Sequence, residues 1–236
     1  MNTLRIGLPL AAAVFCAFPA WPAAGQSFSD LNFESTTVPP GQAPGSVSTD
    51  EALPGWTAYL GNVQQSEVLY NYTYNTDATV DLLGPGWKEV PNIEPGVIDG
   101  NYSVYLQAGY YGMFVSASIS ENGEVPLTAQ SLQFKAWEMF GGGFTVSFNG
   151  NDLPLNLLST GTAPSGQPYD VYGVNIGQYA GQTGLLEFTE PAGADNDLLL
   201  DDIRFSPMSV PEPSPLVLTG IAAAMLATRA QWRRTR

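Results

Sequence analysis

Asp201 constrains the chemistry of this chain more than any other residue. It lies in the run Leu198-Leu-Leu-Asp-Asp-Ile-Arg-Phe205, where strand alternation puts it on one face with Leu199, Ile203 and Phe205. A carboxylate on an apolar face must be neutralised, paired or bound to a metal. Residues 26 to 210 offer only Lys88, Lys135 and Arg204 against 21 acidic residues, a balance of −18. With cations so scarce, calcium is a reasonable partner, because it is bound by roughly six to eight oxygens from carboxylates and carbonyls. The competing reading puts Asp201 at a strand end, accepting backbone N–H bonds.

The chemistry that the sequence excludes is broader. The chain has no histidine, which removes Ser-His-Asp triads, Cys-His pairs and histidine zinc sites together. Its only cysteine is Cys16, so residues 26 to 210 form neither a disulfide nor a cysteine metal site. The acidic surface repels nucleic acid and anionic lipid. Asp195-Asn196-Asp197 begins like a calcium loop, but Leu198 to Leu200 follow where its glycine and terminal glutamate should stand, so it reads as a solvated turn. There is no phosphate loop or nucleophile elbow, and Lys88 and Lys135 read as solvated charges. A glycosidase needs two carboxylates about 5–10 Å apart, a condition that so many acids would meet by chance.

Aromatic residues suggest a second kind of site. Tyr105, Phe114 and Trp137 each fall on the polar side of their own strands. Together they would make a flat platform for sugar rings, with Gln107, Gln133 and Glu138 as hydrogen-bonding neighbours. The alternative, which the sequence favours, is that the long 61–100 segment covers this face and turns the aromatics into a second small core. Trp56, after Pro54-Gly55, reads as a core anchor. Tyr70, Tyr72 and Tyr74 alternate and would form an exposed ladder or pack under the loop around Gly84-Pro-Gly86.

The elements that must hold these residues are strands. No stretch of residues 26 to 210 keeps a helical period, whereas period-two alternation recurs at 102–107, 113–119, 132–137 and 144–149. Further strands are expected at 152–158, 169–176, 184–189 and 197–206. Asp99-Gly100, Asn122-Gly123 and Asn149-Gly150 mark tight turns, and residues 35 to 55 read as a long surface loop. The fold class is therefore all-β, an antiparallel β-sandwich or jelly roll with very little helix.

Both ends carry addresses. Arg5, the apolar run Ile6 to Phe18 and Ala23-Ala24-Gly25 form a signal peptide over residues 1–25, which leaves a domain of residues 26–210. Residues 211–236 then hold Pro211-Glu212-Pro213, an uncharged run from Leu216 to Thr228, and a tail with Arg229, Arg233, Arg234 and Arg236. The run is about 20 Å of helix at ~1.5 Å per residue, a marginal membrane span whose basic tail would stay in the cytoplasm. The three prolines keep the motif extended and open to a protease. This order resembles the PEP-CTERM sorting tag of exported proteins in Gram-negative, polysaccharide-secreting bacteria. The resemblance implies processing by an exosortase, contact with the membrane only before cleavage, and delivery to the cell surface or extracellular matrix.

Leu31-Asn-Phe-Glu34, Leu53-Pro-Gly-Trp-Thr57 and Leu198 to Ser206 are similar to the first and last strands of galactose-binding-like jelly rolls, many of which are non-catalytic carbohydrate-binding modules. Tyr172 to Thr189 is similar to a penultimate segment of jelly rolls bearing this tag. The resemblance implies a structural calcium between first and last strands, held by Glu34 and Asp201 with Asp202 as reserve. The chain is thus expected to be a non-catalytic, structural or adhesive protein of an exopolysaccharide matrix. The alternatives are a glycan-binding module or, less favoured, a hydrolase.

Overall fold

The computed structural model describes residues 26–73, 77–87, 95–109, 114–139, 142–193 and 196–210. Residues 1–25, expected to form the signal peptide, lie outside these residues, as do Pro211, Glu212, Pro213 and the basic tail, and Tyr74, Lys88 and Asp195. Among the described residues no helix is long and apolar enough to cross a membrane.

Fourteen strands among the described residues form two sheets. The first half of the chain supplies β1 (Gly45–Ser48), β2 (Thr57–Leu60), β3 (Val63–Gln65), β4 (Glu67–Tyr70), β5 (Thr79–Leu83), β6 (Ser103–Gln107) and β7 (Ala117–Glu124). The second half supplies β8 (Ser131–Met139), β9 (Thr145–Phe148), β10 (Asn151–Asp152), β11 (Asn156–Thr162), β12 (Pro168–Asn175), β13 (Thr183–Glu190) and β14 (Asp197–Ser206). The larger sheet runs β1-β4-β5-β6-β14-β8-β12-β11, and the smaller β10-β9-β13-β7-β2-β3. Pairing between these strands is antiparallel except for β4 with β5. Among the described residues helix is confined to the four residues of α1 (Thr49–Ala52) and a 3-10 turn at Gly177–Tyr179. The expected all-β antiparallel sandwich is the fold.

Alternation builds the core between the sheets. In β13, Gly184, Leu186, Phe188 and Glu190 point inward while their neighbours point out. Phe188 meets Phe134 of the opposite sheet edge-to-face at 5.1 Å, and Phe134 stacks on Tyr172 at 5.9 Å. Trp56, 3% exposed, joins the same cluster between Phe33 and Phe188 and is the anchor expected of it. Such contacts between large rings add to the burial that drives the sheets together. Tyr70 is buried as well, with its hydroxyl on the Pro85 carbonyl, under the loop that carries Gly84.

Four local expectations are corrected. Residues 35 to 55 are not one surface loop: β1 and α1 lie there, and Val47, Ala52 and Leu53 are in the core. Leu31 to Glu34 is a turn rather than a first strand, with Phe33 at φ 57° and its N–H on the Asp30 carbonyl. Burial of the Phe33 ring against Trp56 sustains a backbone conformation that a bulky residue otherwise avoids. Asn122-Gly123 lies inside β7, paired with Leu185 and Gly184. The Phe28 ring covers Gly123 where a Cβ would stand 2.6 Å away, so this glycine serves close approach and not a turn. The strand expected at 113–119 begins later, at Ala117. Asn149-Gly150 does turn the chain, at φ 51° and 73°, between β9 and β10.

Candidate functional site

A bulge in β14 organises the acidic site. Asp201 stands opposite Lys135 of β8 and Arg204 opposite Gln133, so β14 carries one extra residue, and Asp202 takes φ 46° to accommodate it. The bulge reverses the alternation. Leu199 and Asp201 face outward from the large sheet, whereas Ile203 and Phe205 pack on the inner core. It also turns the Ile203 N–H to the carbonyl of Leu31, 2.9 Å away, which docks the N-terminal turn on the last strand.

Between turn and strand lies a pocket of about 140 Å³ lined by Asn32, Glu34, Asp99, Gly100, Asp201 and Asp202. All three residues expected to hold calcium are therefore brought to one place. Glu34 accepts the backbone N–H groups of Asn101 at 2.7 Å and Tyr102 at 3.0 Å, and the Asn101 side-chain amide at 3.0 Å. Gly100 is at φ 55°, and a Cβ there would stand 2.3 Å from a Glu34 oxygen. Asp201 is 1% exposed and accepts Ser103 Oγ at 2.7 Å and the N–H groups of Asp99 and Asp202 at 2.9 and 2.6 Å. Burial outweighs these bonds and pushes its carboxyl up to about 7.

The cation in this site is Lys135. Its Nζ pairs with Asp99 and, at 3.1 Å, with Asp202, which Arg204 also approaches at 3.4 Å. Lys135 is thus not the solvated charge its sequence suggested. Its hydrogen bond is the main cause holding the Asp99 carboxyl below its ordinary range. The all-oxygen donor set has the chemistry of a hard cation site. The spacing is a different matter: among the described residues no three acidic groups converge closely enough to hold an ion.

The aromatic platform does not assemble. Tyr105 is 2% exposed, in a second small core with Leu83, Ile98 and Leu199 on the outer face of the large sheet. Trp87, Val97, Trp137 and Tyr169 pack on it. The cover is tied down by Trp87 Nε1 donating to the Pro95 carbonyl, the Gly96 N–H to Gln167, and Ser165 Oγ to the Val97 carbonyl. Phe114, 44% exposed, precedes β7 in the other sheet and does not join the other two. The covering alternative describes Tyr105 and Trp137.

Three buried acids escaped the sequence reading. Glu121 of β7, 3% exposed, accepts the N–H and the hydroxyl of Ser29 at 2.7 and 2.8 Å, and burial pushes its carboxyl up to about 6. Asp81 of β5 is wholly buried, accepts Thr79 Oγ1 at 2.5 Å, and has one oxygen without a partner. Burial drives its pKa well above the ordinary value. Glu190, 1% exposed at the inward end of β13, has no hydrogen-bond partner for either oxygen. Burial, then the charges of Glu138 and Asp197, push it up to about 8. Its phase with Leu186 and Phe188 was the available signal.

A second cavity, of about 410 Å³, opens where β4 and β5 separate, and the β2–β3 hairpin forms its third side.

No protein-family model matches the chain, and no curated protein matches it. Among solved structures it is similar to TmCBM27, a carbohydrate-binding module studied for specific mannan recognition, at 12% identity and a TM-score of 0.34, covering 68% of this chain and 94% of that one. It is also similar to the enzymatically active domain of tailspike protein 4 of bacteriophage CBA120, at 14% identity and a TM-score of 0.35. That likeness covers 75% of this chain and 21% of the tailspike chain.

Proposed function

We propose that this chain is an exported, non-catalytic β-sandwich that an exosortase sorts to the cell surface or extracellular matrix, where it is a structural or adhesive part of an exopolysaccharide layer. The observation that carries the reading is the ordered Pro211-Glu212-Pro213, apolar run and basic tail. The domain packs up to the edge of that motif: Val210 is 3% exposed, and its N–H bonds Asn175 Oδ1 at 3.2 Å. A sandwich that needs no disulfide suits export of a chain whose single cysteine lies in the signal segment.

A structural calcium belongs to the same proposal. Glu34, Asp201 and Asp202 line one pocket and would hold the ion only by drawing together from their present spacing, and it would then add charge neutralisation where the N-terminal turn meets β14. In keeping with the non-catalytic reading, Glu190, whose carboxyl is pushed up to about 8, is closed off from substrate by its own burial. The second reading, a glycan-binding module, is favoured by the 410 Å³ cavity.

Intact-mass measurement of the surface protein tests the proposal. The expected species lacks the segment before about residue 26 and the basic tail after the motif. Arg236 still attached to the surface protein rejects exosortase sorting.

A further inference from the structure

The parallel pairing of β4 with β5 covers only Leu69 with Asp81 and Tyr70 with Leu82. Ahead of those pairs the strands splay, and the 410 Å³ cavity opens between Glu67-Val68 on one side and Thr79-Val80 on the other. Its floor is apolar. Val68 and Val80, 4% and 3% exposed, belong to the main core, and Leu60 packs against it. Its rim is polar and uncharged or acidic, with Ser46, Gln64, Gln65, Ser66, Glu67 and Asp77.

Three ligand classes are separated by this lining. Among the described residues no lysine or arginine borders the cavity, and the chain carries a net charge of −14, so an anionic ligand meets no described cation there and a field that opposes it. An added peptide strand needs a continuous free edge of ~3 residues or more. Here β5 is fully paired to β6 on its far side, and the splay frees only two residues on each wall. An uncharged polyol remains. A sugar ring has an apolar face for the floor and hydroxyls that both donate and accept, as the glutamine amides also do. The volume lies within the usual ~300–1,000 Å³ of small-ligand sites.

We propose that this cavity binds a short segment of a neutral polysaccharide. The proposal deepens the glycan-binding reading and rests on it. Among the described residues no aromatic ring lines the cavity, so the hydrogen bonds of Gln64 and Gln65 orient the sugar, and single-site affinity is modest.

The test titrates the purified full-length chain with mannotetraose and cellotetraose, following shifts of the glutamine side-chain amides by NMR. Tetragalacturonate and an uncharged extended hexapeptide are the controls. Ser66 is exposed at the rim, so Ser66→Trp should close the cavity and Gln64→Ala should remove a hydrogen-bonding group, both with wild-type melting temperatures. The expected result is binding of a neutral tetrasaccharide by the wild type, weakened about tenfold or more in Ser66→Trp and less in Gln64→Ala, with no binding of tetragalacturonate. Equal binding by wild type and both variants overturns the site and leaves the glycan reading standing. Absence of binding to either neutral sugar overturns both. Hexapeptide binding that is lost in Ser66→Trp reassigns the cavity to peptides.

Discussion

Leu31 and Ile203 are joined by one backbone hydrogen bond, from the Ile203 N–H to the Leu31 carbonyl at 2.9 Å. It forms at the β14 bulge and adds to the other ties of the N-terminal turn, the burial of Phe33 against Trp56 and the hydrogen bond from Trp56 Nε1 to the Asp30 carbonyl. The same bulge aims Asp201 and Asp202 at the pocket that Glu34 enters from the other side. The N-terminal turn and the last strand thus meet at the carboxylates around Lys135.

That geometry makes the calcium proposal testable through stability. A ligand that binds only the folded chain stabilises it by RT ln(1 + [L]/Kd), ~2.7 kcal/mol at a hundredfold excess over Kd. Chelation with EDTA is expected to lower the melting temperature of the calcium-loaded protein. Asp201→Asn should abolish the response to EDTA, whatever its own effect on stability. Superimposable wild-type melting curves with and without chelator reject the ion and leave Lys135 as the neutralising group.

Four strands of the large sheet were legible: the ranges expected at 102–107, 132–137, 169–176 and 197–206 match β6, β8, β12 and β14 to within about two residues. The inverted phase of β14 was not. Leu199, Asp201, Ile203 and Phe205 share a face only in a regular strand, and one extra residue at Asp202 moves everything after it to the other side. Lys135 was misread for a related reason, since its partners Asp99 and Asp202 are 36 and 67 positions away. Glu34 and Asp201 were nevertheless placed in one pocket, because the short motifs that carry the resemblance, Leu31 to Glu34 and Leu198 to Ser206, meet at the Ile203–Leu31 hydrogen bond although the first of them is a turn. Tyr105 and Trp137 were correctly placed on the outer face. What covers them depends on residues 84–87 and 95–98, whose path no local pattern encodes.

The covered aromatics make a second expectation. Trp137 packs on Tyr105 and its neighbours, so Trp137→Ala should cost about 3 kcal/mol, the low end for truncating a large core ring. Phe114, exposed on the other sheet, should tolerate alanine within about 0.5 kcal/mol. Chemical denaturation of both variants beside the wild type checks the contrast. A nearly neutral Trp137→Ala would show that the second core contributes little and would reopen that face as a binding surface.

The buried acids set the response to pH. Burial raises Asp81, Glu121, Glu190 and Asp201 above their ordinary range, with Glu121 at about 6, Asp201 at about 7 and Glu190 at about 8. The groups facing them do not cancel this: Asp197 lies near Asp81, Glu138 and Asp197 near Glu190, and Asp30 near Glu121. In the unfolded chain the same carboxyls titrate near pH ~4. Between those values the folded state binds more protons than the unfolded state, so stability falls as pH rises, and the loss is complete once the folded values are passed. Asp99 has the opposite sign, but it is half exposed and its contribution is small. The melting temperature in EDTA is therefore expected to be several degrees higher at about pH 5 than at about pH 8.5. Glu190→Gln removes a carboxyl raised to about 8 while keeping its shape, and should raise stability at the alkaline end and shrink the difference between the two. A melting temperature that is flat or rises over this interval would mean that the buried carboxyls are ionised and paired in the folded protein, contrary to the unpartnered oxygens of Glu190 and Asp81.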